Sequence, residues 1–306
     1  MKCWPSLAPF GKNLPLPVGN LFYYDSEGNA DSKGGAGASF GIDSDKQTVM
    51  LIHGLGDEAD TWRYLFPALS DAGYRVIAPD LPGFGRSIWK GRISFSLHCK
   101  IVFKLLAMAN VSAEKPATLI GSSMGAAIAE LAAAKRPDLV KGLILIGGCF
   151  PFHDKTEKSE MRLMIPFTGK KWYRAFRSNH ETAWKSLYPY YGNLYIMNSM
   201  DKEFLRERVI ARVESPNQER GFFSTMRSMA AMVIFKRSFL IKKMKSFRGR
   251  IFFVWGEKDN IFPSRRASLL RSLRPDAEFS VIAEAGHLPH QEKGKECAAE
   301  ILRILE

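Results

Sequence analysis

A chain of 306 residues, 46% hydrophobic and 25% charged, is long enough for one large core or for a core domain carrying a substantial insertion, and its balance is that of a soluble globular protein. No run of 18 or more apolar residues occurs, which excludes a membrane-spanning helix. The net charge of +13 is concentrated: residues 151–250 hold 21 Lys/Arg against 9 Asp/Glu, while the other 206 residues hold 23 against 22.

The first twenty residues contain Pro5, Pro9, Pro15 and Pro17 and no continuous apolar stretch, so they do not read as a cleaved signal peptide. Leu21–Tyr24 is expected to be an opening strand, and Ser26–Gly37, rich in Gly, Ser and Asp, a loop between edge strands. Short apolar runs then alternate with helix-period segments. Strands are expected at Thr48–Ile52, Arg75–Ala78, Ala117–Ile120 and Leu143–Ile146, and helices at Ala59–Asp71, Leu97–Ala109 and Met124–Lys135. Pro137 closes the last of these, because proline cannot continue a helix. Strands buried on both faces and separated by helices imply a parallel sheet with helices on either side. After Gly148 the alternation stops, and the chain becomes helical, basic and aromatic to about Phe247. Strand character returns at Ile251–Trp255 and Glu278–Ile282, and a helix over Glu292–Leu305 ends the chain. The expected organisation is residues 1–150 and 249–306 as two parts of one α/β core, split by a helical insertion at 151–248. Cys3, Cys99, Cys149 and Cys297 are scattered without metal-ligand spacing, so reduced thiols in a cytoplasmic protein are expected, with no metal site.

Gly121-Ser122-Ser123-Met124-Gly125 follows an expected strand and opens an expected helix. In a G-x-S-x-G pattern with that context, the central serine is held on a tight turn where its hydroxyl is exposed, and the flanking glycines allow close backbone approach. Spacing selects Ser123 over Ser122 as a nucleophile. A serine needs a base, and the base an orienting acid. His287, in Gly286-His287-Leu288-Pro289 after the last strand, is favoured as base over His290, which lies past Pro289. Asp259 lies deepest in the loop after Ile251–Trp255 and is favoured as the acid, with Glu257 and Asp154 as competitors. The oxyanion formed on attack calls for two backbone N–H donors. Met124, directly after Ser123, is expected to supply one, and Leu55, in His53-Gly54-Leu55-Gly56 after the third strand, the other.

These residues resemble those of the α/β-hydrolase superfamily, and more closely its lidded branch of carboxylesterases, lipases and carbon–carbon bond hydrolases. The order Ser123, Asp259, His287 is the one that fold uses. Trp62 matches an aromatic position after the oxyanion loop, Asp80-Leu-Pro-Gly-Phe-Gly-Arg-Ser87 a turn after the fourth strand, and Gly286-His287 with Glu292 a C-terminal signature. The likeness covers roughly residues 20–150 and 250–306. Two positions depart from it: Ser122 stands where histidine is common, and Ala126-Ala127 follows Gly125 where many members carry a second glycine. The resemblance implies an α/β fold with a mostly parallel eight-stranded sheet and an inserted helical lid. It also implies an ester hydrolase with no cofactor, and Trp62 near the substrate. A serine at the elbow argues against dehalogenase and epoxide-hydrolase chemistry, which need a carboxylate nucleophile there.

Other readings remain at this level: carbon–carbon bond hydrolysis with the same three residues, or a scaffold that binds without catalysis. Trp172, Tyr173, Trp184, Tyr188, Tyr190 and Tyr191 either line an acyl pocket or form the insertion's own core. The partner expected is a small-molecule ester, and no nucleic acid. The basic stretch Phe235–Lys245 either is a solvated helix face or meets an acidic carrier protein, as in a carrier-bound methyl ester esterase, or an anionic membrane surface.

Overall fold

The computed structural model describes residues 1–27, 45–148, 166–194, 197–264 and 268–306. The chain begins with an antiparallel pair, β1 (Gly11–Leu16) and β2 (Gly19–Asp25), in register from Gly11 opposite Tyr24 to Leu16 opposite Gly19. Next come β3 (Thr48–Ile52), a 3₁₀ turn at Ala59–Trp62, α1 (Leu65–Asp71), β4 (Arg75–Pro79), a two-residue β5 (Ile88–Trp89) and α2 (Phe95–Met108). Then follow β6 (Ala117–Ser122), α3 (Met124–Lys135) and β7 (Val140–Ile146). Four helices occupy the described part of the segment before the next strand: α4 (Pro166–Ser178), α5 (His180–Lys185), α6 (Ser199–Glu214) and α7 (Pro216–Ser246). The chain closes with β8 (Arg250–Gly256), α8 (Ser268–Leu273), β9 (Glu278–Ile282), α9 (Pro289–Glu292) and α10 (Gly294–Leu305).

The strands form one sheet in the order β1-β2-β4-β3-β6-β7-β8-β9, with β5 paired to β2. From β4 to β9 every pairing is parallel, while β2 runs antiparallel to β1, β4 and β5. Seven of the eight strands on the main path are those expected from the sequence; β1 is not among them, and β5 is an additional short edge piece.

Both faces of the sheet are covered, so the central strands are apolar throughout, and alternate residues feed opposite layers. Met50 and Ile52 of β3 join Leu143 and Leu145 of β7 against α2 and α3. Val49 and Leu51 point the other way, with Ile144 and Ile146, toward Leu65, Phe66 and Leu69 of α1 and Ile301 and Ile304 of α10. Every residue of α3 from Met124 to Ala134 is buried. Its alanines keep the helix close to the sheet and also favour helix intrinsically.

The boundary differences have local causes. The expected helix at Ala59–Asp71 is a 3₁₀ turn and a short α-helix, since Pro67 is tolerated only in the first turn of α1. The final helix is two pieces, with Pro289 starting a separate short turn. Ser26 and Glu27 extend from β2, but residues 28–44 of the expected loop lie outside the described residues.

Candidate active site

The register of the parallel strands lines up their C-terminal ends. Ile52 pairs with Gly121, Ser122 with Ile146, and Ile146 with Val254. The loops that leave β3, β6, β7 and β8 therefore emerge side by side, where open α/β sheets bind ligands.

Ser123 is the hinge between β6 and α3. Its φ of 52° and ψ of −113° lie in a region L-residues rarely occupy. Three contacts force the turn. The Ser123 N–H continues the ladder to the Ile146 carbonyl at 2.9 Å. Gly121 abuts the backbone of Gly125, and Gly125 abuts the Ile52 carbonyl, so a Cβ at either would overlap main-chain atoms. The elbow is thereby pressed onto the end of β3, and a Cβ on Gly54 would lie 3.6 Å from that of Ser123. Among the described residues, neither the Leu55 nor the Met124 N–H has an acceptor within the protein.

His53 explains how the Leu55 peptide is aimed. It is fully buried, and burial holds its pKa below the usual histidine value. Its Nε2 accepts from the Leu81 N–H at 2.9 Å, so Nδ1 carries the proton and donates to the Gly54 carbonyl at 2.8 Å. Because the peptide is planar and trans, fixing the Gly54 C=O toward His53 turns the Leu55 N–H away from it. In the sequence, His53 has no role of its own beside Leu55. A donor 28 residues away gives no local signal.

On the other side of Ser123, Asp259 and His287 meet across two loops. The His287 Nδ1 is 2.9 Å from Oδ2 of Asp259, and both side chains are almost fully buried. Oδ1 of Asp259 accepts from the N–H groups of Ile261 and Phe262 at 2.9 and 2.8 Å, which fixes the carboxylate. An ionised carboxylate only accepts, so Nδ1 holds the imidazole proton and Nε2 is left as the basic nitrogen. The His287 ring lies over Gly147, where a Cβ would approach it to 3.1 Å. Gly147 directly follows the Ile146 that receives the Ser123 N–H. The Ser123 backbone and the His287 ring thus both lie against the end of β7.

Glu292 holds that histidine loop. Its two oxygens accept from the N–H groups of Gly286, Gly192 and Asn193 at 2.7, 2.9 and 2.6 Å. The His287 N–H itself donates to the Tyr190 carbonyl at 2.8 Å. Glu292 therefore ties the segment around residue 192 to the histidine loop, the physical content of its place in the C-terminal signature.

The competing residues are elsewhere. Glu257 is exposed and accepts from the Glu284 N–H. His290 is buried, its Nε2 2.9 Å from Thr61 Oγ1, and burial, Arg63 and His287 lower its pKa to about 3. Asp154 lies outside the described residues. Trp62 is fully buried, with its ring centroid 4.5 Å from that of His290, in the same apolar cluster as Leu65, Phe66 and Ile301.

The aromatic residues of the helical segment divide. Tyr173 packs with Phe176 and Phe223 in a small core, and Trp184 borders another with Leu194 and Leu205. Tyr191 is buried, its hydroxyl on Gln291. Tyr190 instead stands 5.9 Å from the His287 ring, opposite Phe262 at 5.3 Å, and gives that histidine aromatic walls. Tyr188 is exposed, and the Trp172 side chain lies outside the described residues.

Buried polar ties run from the helical segment to the loop after β3. Arg212 of α6 grips Asp57 and Glu58, Arg208 reaches Asp60 at 2.8 Å, and Gln218 of α7 donates to the Gly56 carbonyl at 2.9 Å. Burial alone would raise the Glu58 pKa, but Arg212 and Arg208 outweigh it and hold the carboxyl below its usual range. In the turn after β4, Asp80 accepts from the Ala59 N–H and from the Arg86 backbone and guanidinium.

A family model described as alpha/beta hydrolase fold matches residues 47–294. The chain belongs to the α/β-hydrolase family. Its relatives include an uncharacterised hydrolase, YugF, of Bacillus subtilis, 26% identical over 81% of this chain and 86% of that protein. A pimeloyl-[acyl-carrier protein] methyl ester esterase of Yersinia pseudotuberculosis is 25% identical over 84% of this chain and 93% of the relative. Among solved structures, Cfl2 from Burkholderia cenocepacia superposes with a TM-score of 0.76 at 19% identity, covering 100% of this chain and 99% of Cfl2. This α/β-hydrolase is thus a hydrolase with esterase-like relatives, built on the mostly parallel sheet of its family. No group of His, Cys, Asp or Glu among its described residues could hold a metal ion, and no described helix is long and apolar enough to cross a membrane.

Proposed function

We propose that this α/β-hydrolase cleaves carboxylic esters through an acyl-enzyme, with Ser123 as nucleophile, His287 as base and Asp259 as the acid that orients it. One observation supports the reading: Ser123, held at φ 52° just past β6, is bonded through its N–H to Ile146, next to the Gly147 that packs against a histidine whose Nδ1 is bonded to a buried carboxylate. His287 Nε2 takes the Ser123 proton as Oγ bonds to the ester carbonyl carbon, and the N–H groups of Leu55 and Met124 receive the oxyanion. Collapse breaks the bond to the alkoxy group, which leaves with the proton from His287. Water, deprotonated by the same nitrogen, then attacks the acyl-enzyme and releases the acid and free Ser123. Asp259 keeps Nδ1 protonated and stabilises the imidazolium. The helical segment is read as a lid, and Tyr190 and Phe262 beside His287 as walls that an acyl or alkyl group would meet. The described cysteines, Cys3, Cys99 and Cys297, are unpaired, which supports placement in the cytoplasm.

The expected result is covalent labelling by a fluorophosphonate that disappears in Ser123→Ala, with turnover of p-nitrophenyl esters falling by about four orders of magnitude in Asp259→Asn. Labelling that survives Ser123→Ala would remove the nucleophile assignment. A panel of esters of graded length beside a vinylogous diketone separates ester cleavage from carbon–carbon bond hydrolysis, because the same three residues serve both. Turnover of the diketone alone would move the reading to the second class.

A further inference from the structure

Helix α7 changes character along its length. Its first half is docked on the core: Thr225 Oγ1 lies 2.8 Å from the buried His98 Nε2, and Ser228 Oγ accepts from the Phe95 N–H at 2.7 Å. Its second half buries Leu240 and Met244 beside α3. Away from that contact stand three large exposed apolar side chains: Ile234 is 73% exposed, Phe235 77% and Phe239 42%. At about 100° per residue, Phe235, Phe239 and Lys242 fall in one narrow sector opposite Leu240 and Met244, with Lys243 and Lys245 flanking it. Between Glu219 and Glu257 the chain holds nine Lys/Arg and no Asp/Glu. A shallow groove lined by Ser238, Ile241, Lys242 and Lys245 runs along the same stretch.

A merely solvated helix face accounts for the lysines but not for exposed isoleucine and phenylalanine beside them, since soluble proteins rarely leave such patches open. The apolar side chains are exposed one by one along the helix. A folded partner would need a matching cavity for each, whereas a lipid surface yields to them. The uniformly positive surroundings match an anionic leaflet, and long lysine stems let ammonium groups stay at headgroup level while neighbouring apolar groups go deeper.

We propose that this face of α7 docks on an anionic lipid surface, with Ile234, Phe235 and Phe239 entering the acyl boundary and Lys242, Lys243 and Lys245 meeting lipid phosphates. Phe222, on the same helix, is within 3.3 Å of the place a Gly56 side chain would take, so the helix runs from the loop after β3 to the docking face. Thirteen residues separate Phe222 from Phe235, which places the loop roughly 20 Å along the helix from that surface. The inference stands independently of which bond the enzyme cleaves.

The test is co-sedimentation of the full chain with vesicles of phosphatidylcholine alone and of phosphatidylcholine mixed with phosphatidylglycerol, in about 0.1 M salt. Wild type is expected to sediment with the mixed vesicles only. Phe235→Ser should weaken that binding by about tenfold or more, Phe235→Leu should restore most of it, and the triple variant Lys242→Glu, Lys243→Glu, Lys245→Glu should lose at least about a hundredfold. All variants should keep the wild-type Tm and the rate on a water-soluble ester, because the altered side chains are on the surface. Three outcomes would overturn the proposal: equal binding to neutral vesicles, binding insensitive to Phe235→Ser, or no vesicle binding by a wild type that binds an acyl carrier protein through the same lysines.

Discussion

At φ 52° and ψ −113°, Ser123 carries backbone strain, of order 1–3 kcal/mol for a side-chain-bearing residue in such a region. The strain is imposed from outside, by the Ser123 N–H bond to Ile146 and by Gly125 lying against the Ile52 carbonyl. Removing the Cβ should relieve it, offset by the extra freedom glycine gains in the unfolded chain, about 0.5–1 kcal/mol. Ser123→Gly is therefore expected to be more stable than Ser123→Ala by about 1 kcal/mol, although both lack the hydroxyl. Paired urea denaturation curves of the two variants measure the difference, and a glycine variant no more stable than the alanine one would show that the elbow is relaxed.

At the scale of elements, the helical segment is joined to the α/β core through charge as much as through apolar contact. Arg212 of α6 pairs with Asp57 and Glu58, and Glu58 is nearly inaccessible. Removing one partner of a buried ion pair leaves the other desolvated and uncompensated, typically at 3–5 kcal/mol. Arg208 still faces Glu58 at 3.7 Å, so Arg212→Ala should cost about 3 kcal/mol, at the low end. The cost should shrink in a Glu58→Gln background, where less charge is stranded. A double-mutant cycle in urea reads the coupling, and additive losses would mean that the pair contributes nothing jointly. Neither tie of Arg212 was legible in the sequence, because its partners lie 154 and 155 residues away. The core strands were legible for the opposite reason. β3, β6 and β7 are buried on both faces, and each announces itself as a short branched apolar run. β1 escaped because it is an edge strand whose side chains alternate between exposed and half-buried, and its Pro15 reads as a breaker. Ser123, Asp259 and His287 could be named because each lies just past a recognisable strand.

For the whole molecule, the buried histidines set how stability responds to acid. His98 and His290 are almost inaccessible, and their pKa values fall from 6.5 to about 3, chiefly through burial. His98 also feels His53, and His290 feels Arg63 and His287, all of which disfavour a further positive charge. In the unfolded chain both groups protonate near pH 6.5, while in the folded protein they stay neutral. The unfolded state therefore binds more protons below pH 6.5, so the stability present above that pH is lost progressively as the pH falls toward 3. Each histidine contributes up to about 1.4 kcal/mol per pH unit in this range, so the two together remove about 3 kcal/mol between pH 6.5 and 5. His53, whose pKa is also lowered by burial, adds in the same direction. Glu58 and Asp80 have lowered pKa values as well, but their loss begins only near the ordinary carboxylate range, which leaves pH 5 to 6.5 to the histidines. His98→Gln offers Thr225 an amide in place of the ring and cannot take up a proton. Between pH 7 and pH 5 its unfolding free energy should therefore fall by about 2 kcal/mol less than that of wild type. Urea titrations of both proteins at the two pH values decide the matter, and an unchanged pH dependence in the variant would show that His98 is already charged in the folded state.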